Sequence, residues 1–407
     1  MKVLVLNYIF LIMAYWVAHC QEQHCSIDSK EHCAEEKEVN SYNKVLNNKY
    51  SKYYNEIEEA EKSYKICNNT YNGCFKEVIK NDLKPFKEKG INKNLIDNAK
   101  VRGTFYQIIE GKLYRQKDCM FPSRCAGVEY FLLKLASGLS NMDLVINVRD
   151  YPQSSKHFGN PLPIFSFSKT PQYYDITYPA WAFWEGGPAI SLYPRGLGRW
   201  DKHCVSLDKA SESTLWERKE NKAFFRGSRT SSERDNLILL SRKKSNLVDA
   251  QYTKNQAWKS DEDTLYAPAA SEVPLDAHCK YKYLFNYRGV AASFRHKHLF
   301  LCRSLVFHVG DEWTEFYYDA MIPWIHYIPV SKKANQTVLE ELIQFAIDND
   351  ELSKRIADRG RDFIWYNLKI SHITQFWKKL LREYSKLLRY ETTLDKNLIK
   401  IEGKDRS

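Results

Sequence analysis

A short segment rich in arginine and hydroxyl side chains follows a predicted strand near the middle of the chain. Residues 224–235 read FFRGSRTSSERD, which is an apolar run, a turn of small residues and the start of a predicted helix. Thr230 and Glu233 have the spacing of a capping box. Backbone N–H groups in such a turn, together with the helix dipole, bind anions. The side chains that would add to this site are Arg226, Ser228, Arg229 and Arg234. The pattern fits a diphosphate site or a solvated turn with surface arginines, and does not choose between them.

A second predicted strand, turn and helix lie at residues 286–295, with the sequence NYRGVAASFR. Gly289 would allow a ligand to approach the backbone closely, and Ser293 and Arg295 lie in the first turns of the predicted helix. Two basic helix N-termini could clamp one nucleotide, although each could equally be a charged helix start. Neither segment matches the Walker pattern or GxGxxG, which argues against an ATPase and a dinucleotide-binding protein.

Asp150 stands where the predicted buried strand at residues 144–148 ends, in the segment NVRDYPQ. Ligands of open α/β sheets bind beyond the carboxyl ends of the strands, so a carboxylate there could serve as a general base. The spacing alone favours the alternative, an aspartate that caps a turn before Tyr151 and Pro152.

Other chemistry has little support in the sequence. The D-x-D patterns at residues 261–263 and 348–350 lie in polar stretches and are interpreted as solvated loops, so no metal site is predicted. There is no HExxH, CxxC, zinc-finger spacing or GxSxG nucleophile elbow. The net charge of +11 is dispersed and shows no basic stripe or RNP-like signature, which argues against a nucleic-acid partner.

Predicted strands alternate with predicted helices on both sides of a segment rich in Trp, Gly and Pro at residues 178–201. Alternation of this kind predicts an α/β protein with parallel sheets, here as two Rossmann-like domains that face a cleft. Apolar stripes add an N-terminal helical piece and a C-terminal helix. The predicted segments are a signal peptide at 1–20, a helical region at 21–100, domains at 101–208 and 209–370, a helix at 371–390 and a tail at 391–407. Within the domains we predict a hairpin at 104–114, strands at 144–148, 161–169, 223–225, 281–287, 305–309 and 325–330, and helices at 127–137, 233–241, 291–301 and 338–347.

The composition and the N-terminus place the chain in the secretory pathway. Of its 407 residues 43% are hydrophobic and 27% charged, which excludes a disordered chain, a collagen and a polytopic membrane protein. A lysine at position 2 precedes an apolar run at residues 3–18, which predicts a signal peptide cleaved after Cys20, with a short membrane anchor as the alternative. No other apolar run is long enough to span a membrane, so none is expected in the mature protein.

Ten cysteines suit an oxidising compartment, and nine remain after the predicted cleavage. Spacing makes four close pairs plausible without fixing the connectivity, and leaves Cys204 as a free thiol. The pairs are Cys25/Cys33, Cys67/Cys74, Cys119/Cys125 and Cys279/Cys302. Asn68 and Asn335 begin sequons for N-glycosylation, which supports a lumenal location.

Nine ordered segments, taken together, resemble the protein O-glucosyltransferases of the endoplasmic reticulum, the Rumi-type enzymes. The resemblance covers roughly residues 65–390. The segments are DCMFPSRC at 118–125, VINVRDYPQ at 145–153, YPAW at 178–181, FWEGGP at 183–188, GLGRWD at 196–201, FRGSRTS at 225–231, VDAQYTKNQAWKS at 248–260, CKYKYLFN at 279–286 and FHVGDEW at 307–313.

The resemblance implies a GT-B architecture, with the acceptor on the first Rossmann-like domain and the donor on the second. It implies transfer of glucose from UDP-glucose to the serine of Cys-x-Ser-x-(Pro/Ala)-Cys in folded EGF-like repeats, such as those of Notch. The anomeric centre would be inverted, and neither a metal nor another cofactor would be needed. Whether xylose is also transferred from UDP-xylose stays open, because the two sugars differ by one hydroxymethyl group.

The resemblance also assigns roles to individual residues. Asp150 would be the general base, and Cys119 with Cys125 would fasten an acceptor-binding loop. Positions that match donor-binding residues are Ser228, Arg234, Val290, Ala291, Ala292, Ser293, Phe294 and Arg295. Positions that match acceptor-binding residues are Met120, Phe121, Pro122, Ser123, Arg124, Ala189, Ile190, Ser191, Leu192, Tyr193, Pro194 and Gln256.

The chain departs from the family pattern in three places, the first of which is that Cys204 and the Cys25/Cys33 pair have no counterpart in the family. It ends GKDRS instead of a KDEL-like retrieval signal, which leaves lumenal retention and secretion both open. Gln375 stands on the last predicted helix where the family has a cysteine. The expected partners are UDP-glucose and folded EGF-like repeats, bound by a monomer. A lumenal binder or chaperone of such repeats without turnover is the alternative, although it would have no need of Asp150 and the arginine-rich turn.

Overall fold

The computed structural model describes residues 49–67, 74–188, 190–194, 196–254 and 258–403. The chain divides into two compact units, residues 1–59 and 60–407, and only residues 49–59 of the first are described. The predicted signal peptide, Cys25/Cys33, Asn68 and the part of the N-terminal apolar stripe before residue 49 lie outside the described residues. Within the described ranges, no helix is long and apolar enough to cross a membrane.

Strands and helices alternate through most of the described chain. The strands are β1 (Thr104–Ile109), β2 (Lys112–Arg115), β3 (Met142–Ile146), β4 (Ile164–Ser166), β5 (Ser168–Lys169), β6 (Ile176–Thr177), β7 (Glu220–Gly227), β8 (Val248–Tyr252), β9 (Tyr281–Tyr287), β10 (Leu305–Val309), β11 (Thr314–Glu315), β12 (Ile328–Val330) and β13 (Ile399–Ile401). The helices are α1 (Ser51–Ser63), α2 (Lys76–Leu83), α3 (Lys93–Lys100), α4 (Pro122–Ala136), α5 (Trp200–Ser213), α6 (Asp235–Lys243), α7 (His296–Phe300), α8 (Gln336–Asp348), α9 (Asp350–Asn367) and α10 (Ile370–Ser385).

The first sheet has six strands in the order β13-β2-β1-β3-β4-β6 and is mixed. The strands β13, β2, β1 and β3 pair antiparallel, whereas β3, β4 and β6 pair parallel. The hairpin between β1 and β2 forms as predicted. Glu110 and Gly111 make its two-residue turn with φ of 47° and 73°, the left-handed conformation that matches the twist of the flanking strands.

The second sheet has five strands in the order β12-β10-β9-β7-β8, all parallel. The strands β9 and β10 cover the predicted residues, because central parallel strands are buried on both faces and form continuous apolar runs. The helix α8 also forms where predicted and is capped by Asn335, whose side chain accepts from the N–H of Val338 at 3.0 Å. Two sheets flanked by helices confirm the predicted α/β class.

We call the residues around the six-stranded sheet the first half and those around the five-stranded sheet the second half. The chain returns to the first half at its end, where α10 packs against α2 and α4. Tyr384 and Tyr390 donate to the backbone carbonyl and the carboxylate of Asp143 in β3, at 3.1 and 2.8 Å. The predicted boundary at residue 208 falls inside α5, and the segment predicted as a tail contributes β13 to the first sheet.

The two halves join through backbone pairing and aromatic contacts. The strands β5 and β11 form a two-stranded antiparallel sheet in which Lys169 lies opposite Thr314 and Ser168 opposite Glu315. Beside this pair, Phe167 stacks on Phe294 with ring centroids 4.8 Å apart. One apolar core therefore continues from the first sheet into the second.

Three of the predicted disulfides form, namely Cys67–Cys74, Cys119–Cys125 and Cys279–Cys302. The last one joins the residues just before β9 and just after α7, and Lys219 Nζ donates to the backbone carbonyls of both its cysteines. Cys204 on α5 is free and partly buried, and burial raises the pKa of its thiol to about 12. Nothing in the structure explains why a cysteine stands there.

Candidate active site

Asp150 lies on a turn that the side chain of Asn147 holds in place. The strand β3 ends at Ile146, and the Asn147 amide nitrogen donates to the carbonyl of Tyr151 at 2.8 Å and to Ser166 Oγ at 2.9 Å. The Asn147 amide oxygen accepts from the N–H of Arg149 at 2.9 Å. The role of capping the turn, which the sequence offered to Asp150, therefore belongs to Asn147.

The carboxylate of Asp150 faces Arg124, which comes from the first turn of α4. The distance from Asp150 Oδ1 to Arg124 Nη1 is 3.1 Å, and the Asp150 side chain remains 40% exposed. Arg124 also donates to the carbonyl of Val148 at 2.8 Å and lies over the rings of Phe121 and Trp181, at 4.3 and 4.6 Å. Asp150 is thus held in one orientation by a fixed cation while it stays within reach of a molecule from solvent.

The loop before Arg124 presents an apolar surface. Met120 is 58% exposed, and Phe121, Pro122 and Ser123 are exposed as well. Gly186 supports this loop, because a Cβ there would lie 2.7 Å from the Ser123 carbonyl oxygen and from the Arg124 nitrogen, and its φ of +81° already favours glycine. The glycine-rich segment after Trp184 therefore acts as a backbone platform for the loop that Cys119–Cys125 closes.

A second predicted acceptor segment, residues 190–194, forms a turn in which Ile190 and Tyr193 exchange backbone hydrogen bonds. It contacts the second half, since Ser191 Oγ donates to Glu272 and the N–H of Leu275 donates to Tyr193 Oη at 3.2 Å. Leu192 and Pro194 are exposed at its surface. Ala189 and Gln256 lie outside the described residues.

Two arginines predicted to bind the donor lie without a carboxylate partner at the carboxyl ends of β7 and β9. Arg234 is buried and donates to the carbonyls of Ser228 and Arg288, and Arg295 is partly buried and donates to the carbonyl of Arg226. Within the described ranges no carboxylate lies within ion-pair distance of either guanidinium. Burial lowers the pKa of each to about 10, and the proximity of Arg295 contributes to the shift at Arg234.

Gly227 makes room for both guanidinium groups. A Cβ at this position would lie 3.2 Å from Arg295 Nη2 and 3.5 Å from Arg234 Nη1. Ser228, the next residue, is buried beside them. Two cations that share one small space without an anion are repelled by each other, so the arrangement favours an anionic ligand.

Arg226 and Arg229, the other two arginines of the segment that follows β7, form ion pairs within the protein. Arg226 Nη2 is 2.7 Å from Asp249 Oδ1, and Arg229 makes a two-pronged bond to Asp235 at 2.9 and 2.7 Å. The predicted capping box is also absent, because Glu233 pairs with Arg288 at 2.9 Å and the Thr230 hydroxyl has no partner among the described residues. A sequence pattern cannot show which arginine a distant carboxylate will neutralise.

The predicted helix at 291–301 is much shorter in the structure, where α7 begins only at His296. The preceding residues, from Val290 to Arg295, form an irregular turn that we call the donor turn. In the donor turn Val290 is exposed, Ala291 and Ala292 are buried, and Ser293 is partly buried. Phe294 is drawn into the junction by Phe167 and by Trp181, whose ring lies 5.6 Å away, and these contacts override the helical preference.

The donor turn and Asp150 are joined by a short series of contacts. Asp150 meets Arg124, Arg124 lies over Trp181, and Trp181 packs against Phe294 of the donor turn. The sequence offered no sign of a second link, an edge contact at 5.1 Å between Tyr151 and Trp313. The structure therefore brings the predicted base and the predicted donor residues to one junction between the halves.

The acidic D-x-D segments make contacts within the protein. Asp263 and Ser260 form a capping box, and Asp350 accepts from Lys282 at 2.7 Å and from the Trp216 indole at 3.0 Å. Across the described part of the chain, no group of three or more His, Cys, Asp or Glu side chains is placed to hold a metal ion.

An exposed carboxylate on one α/β half and two uncompensated arginines on the other are the arrangement of a glycosyltransferase that uses an anionic leaving group. The chain belongs to glycosyl transferase family 90, whose model matches residues 37–405.

The curated relatives cover almost the whole chain. It is 54% identical over 396 residues to the O-glucosyltransferase rumi homolog of Aedes aegypti, which spans 96% of this chain and 97% of the relative. It is 51% identical over 384 residues to O-glucosyltransferase rumi of Drosophila melanogaster, covering 93% and 92%. It is 53% identical over 353 residues to human protein O-glucosyltransferase 1, covering 86% and 89%.

Two solved structures resemble the chain distantly. The UDP-glucose complex of HepE from Anabaena has a TM-score of 0.32 at 10% identity and covers 45% of this chain and 53% of its own. A glycosyltransferase from Rickettsia africae has a TM-score of 0.36 at 11% identity, covering 55% and 64%. Similarity at this level says nothing about the ligand or the reaction of this chain.

Proposed function

We propose that this protein transfers glucose from UDP-glucose to the serine of Cys-x-Ser-x-(Pro/Ala)-Cys in folded EGF-like repeats, with inversion and without a metal. The observation that carries the proposal is the pair of uncompensated arginines, Arg234 and Arg295, joined through Phe294 and Trp181 to the exposed carboxylate of Asp150. The names of the curated relatives, which are O-glucosyltransferases over nearly all of this chain's length, support the choice of sugar.

In the proposed reaction Asp150 is the general base. It accepts the hydroxyl proton of the acceptor serine while the serine oxygen forms a bond to the anomeric carbon. The bond from that carbon to the diphosphate oxygen breaks on the opposite face, and UDP leaves with the bonding pair. Arg124 holds the carboxylate toward the cleft, and the 40% exposure of Asp150 leaves room for a protein substrate to reach it.

The second half would stabilise the leaving group. Arg234, Arg295, Ser228 and the donor turn supply cations and polar groups that are fixed before the reaction, so little reorganisation accompanies the growth of negative charge on the diphosphate. In this assignment the arginines supply the positive charge that a divalent cation supplies in other transferases.

The acceptor repeat would bind to the first half. The exposed Met120–Ser123 loop leads into Arg124, the ion-pair partner of Asp150, and the turn at residues 190–194 would add further exposed apolar and polar side chains to the acceptor surface. Such a rigid surface, fixed by Cys119–Cys125 and by the glycine platform, suits recognition of a folded, disulfide-bonded shape. A folded repeat would therefore be modified and a reduced one would not.

Three disulfides and the exposed sequon asparagine Asn335 support a location in the lumen of the endoplasmic reticulum, where EGF-like repeats fold. We further propose that the chain acts there as a monomer. Transfer of xylose from UDP-xylose would be a second activity of the same site.

The test is a transfer assay with purified protein, UDP-glucose, EDTA and a folded EGF-like repeat that carries the acceptor sequence. We expect the mass of the repeat to increase by one hexose, and no increase for a repeat with the acceptor serine changed to alanine. A parallel reaction with UDP-xylose measures donor selectivity. Binding of the repeat without any mass increase would contradict the proposal and identify a non-catalytic binder instead.

A further inference from the structure

A fully buried lysine follows the donor turn. Lys297 is the second residue of α7 and is 0% exposed. Its ammonium group donates to the backbone carbonyl of Phe294 at 3.1 Å and lies 4.6 Å from the centre of the Phe183 ring. This hydrogen bond closes a loop of chain that contains Arg295, one of the two arginines for which the described chain provides no carboxylate. Lys297 therefore connects the backbone on either side of a residue proposed to bind the donor.

The counter-charge of Lys297 lies on the strand pair that joins the two halves. Glu315 in β11 is 1% exposed, and neither of its carboxylate oxygens has a hydrogen-bond donor in the part of the chain that the structure describes. Ser168 lies opposite Glu315 in β5, but its buried hydroxyl is also without a partner there and gives no hydrogen bond to the carboxylate. A buried carboxylate without hydrogen bonds is costly, so the ionised form of Glu315 depends on a nearby cation.

Lys297 supplies this cation. Burial raises the pKa of Glu315 and lowers the pKa of Lys297, whereas the charge of each residue acts against the shift at the other. The two side chains form no direct hydrogen bond, so their attraction acts through the protein interior, where the dielectric constant is low. Removal of either charge would leave the other buried and uncompensated.

The lysine and the glutamate therefore connect the donor turn to the small sheet of β5 and β11. We propose that Lys297 is a positioning residue for the donor, which holds the donor turn through the carbonyl of Phe294 in the conformation that binds the diphosphate. Glu315 provides the counter-charge that lets the ammonium group stay in the core. Neither residue touches the donor in this arrangement, and a purely structural pair would affect stability alone. This inference rests on the proposed function.

The first test separates the affinity for UDP from the stability of the fold. Lys297→Met keeps an unbranched side chain and removes both the charge and the hydrogen bond to Phe294. If the donor turn then adopts its binding conformation only about a tenth of the time, the Kd for UDP from isothermal titration should rise about tenfold. The ligand-free melting temperature should fall as well, because Glu315 is left without a cation. An unchanged Kd for UDP in this variant would overturn the inference.

Lys219→Met is the matched control. Lys219 is also a buried lysine, and it donates to the backbone carbonyls of Cys279 and Cys302, which lie outside the donor turn. Its replacement should lower the melting temperature and leave the Kd for UDP within about twofold of the wild-type value, since sites without shared partners act independently. An equal rise in the Kd for UDP in both variants would show a general effect of removing a buried lysine, which would also overturn the inference.

The second test combines Lys297→Met with Glu315→Gln, in case the single variant does not fold. Replacement of both members of a buried ion pair is far less destabilising than removal of one, so the melting temperature should return close to the wild-type value. The Kd for UDP should remain raised about tenfold, because the hydrogen bond to Phe294 is still absent. Recovery of wild-type affinity together with wild-type stability would overturn the inference and leave the proposed function intact. If the wild-type protein itself does not bind UDP, the proposed function fails together with the inference.

Discussion

The charged groups in the two halves of the site differ in their exposure to solvent and in whether an opposite charge lies beside them. In the first half a carboxylate is exposed and is held by a neighbouring cation, as Asp150 is by Arg124. In the second half the cation of Arg234 is buried and that of Arg295 is partly buried, and no described carboxylate balances them. The first arrangement leaves the Asp150 carboxylate accessible to a large partner. The second leaves two positive charges that an anionic ligand would neutralise.

This difference in charge pairing predicts different effects on the stability of the ligand-free fold. An uncompensated buried cation lowers the stability of the ligand-free fold, and binding of an anion returns that free energy. An exposed carboxylate costs the fold little. We therefore expect changes in the second half to alter donor binding and stability together, and changes at Asp150 to alter catalysis alone.

The largest expected effect is on turnover at Asp150. Asp150→Asn keeps the shape and removes the base, so kcat for glucose transfer should fall about 10²- to 10⁴-fold while the Kd for UDP stays constant. Asp201→Asn is the matched control, since Asp201 is also 40% exposed and paired with an arginine, Arg199, at 3.0 Å. It should keep full activity. Transfer by Asp150→Asn at the wild-type rate would remove Asp150 from the mechanism.

The next effect concerns the unpaired arginines. Arg295→Met should raise the Kd for UDP about 10- to 100-fold, because each charge-assisted hydrogen bond contributes about 1.5–3 kcal/mol. It should also raise the ligand-free melting temperature, because it removes a cation that no carboxylate balances. Arg229→Met should lower the melting temperature, since it leaves Asp235 without its two-pronged partner. It should leave the Kd for UDP unchanged. Calorimetry measures the Kd for UDP of each variant, and thermal melts measure its ligand-free melting temperature. Equal changes in both quantities for the two variants would contradict the distinction between paired and unpaired arginines.

A smaller effect is expected on the acceptor loop. Phe121→Ala should raise the KM for the folded repeat about tenfold, because it removes an exposed aromatic contact beside Arg124. The KM for UDP-glucose should not change, since no donor residue contacts Phe121 in the described structure. Steady-state kinetics with each substrate varied in turn gives the two KM values. A change in the KM for UDP-glucose would contradict the assignment of acceptor and donor binding to different halves.

The smallest effect is a pH dependence that the second half confers on stability. Burial lowers the pKa of His278 to about 3 and those of His308 and His326 to about 4. The unfolded chain binds protons at these side chains below about pH 6.5 and the folded chain does not, so the free energy of unfolding should fall as the pH drops from 6.5 toward 4.

Denaturant midpoints at pH 7.5 and pH 5 measure this slope. His326→Asn should reduce the loss of stability between the two pH values, whereas the exposed control His157→Asn should not. An unchanged slope in His326→Asn would show that this histidine is not held neutral in the fold.

The elements that the sequence predicted best are those whose local pattern and tertiary environment agree. The strands β9 and β10 are apolar because they are central and parallel, and the hairpin at Glu110 and Gly111 needs only a two-residue turn. The helix predicted at 291–301 was mostly wrong, because the packing of Phe294 against Phe167 outweighed helical propensity. The helices α5 and α9 were not predicted at all.

In the candidate site, too, the features that could be predicted were those with a local sequence signal. The general positions of Asp150 and of the arginine-rich turn could be inferred from strand ends. Which arginine stays unpaired could not, because Asp249 neutralises Arg226 from a neighbouring strand and Asp235 neutralises Arg229 from a helix. The contact between Asn286 and His308 could not be predicted either. These residues are 22 positions apart in the sequence and meet only through the register of β9 and β10.

The small sheet of β5 and β11 limits how the two halves can move. A hinge that separated them at this edge would have to break the backbone pairing of Ser168 with Glu315. We therefore expect any movement of the two halves to take place as a rotation about this strand pair. Trp313 directly precedes β11, so we expect its edge contact with Tyr151 to persist during such a rotation.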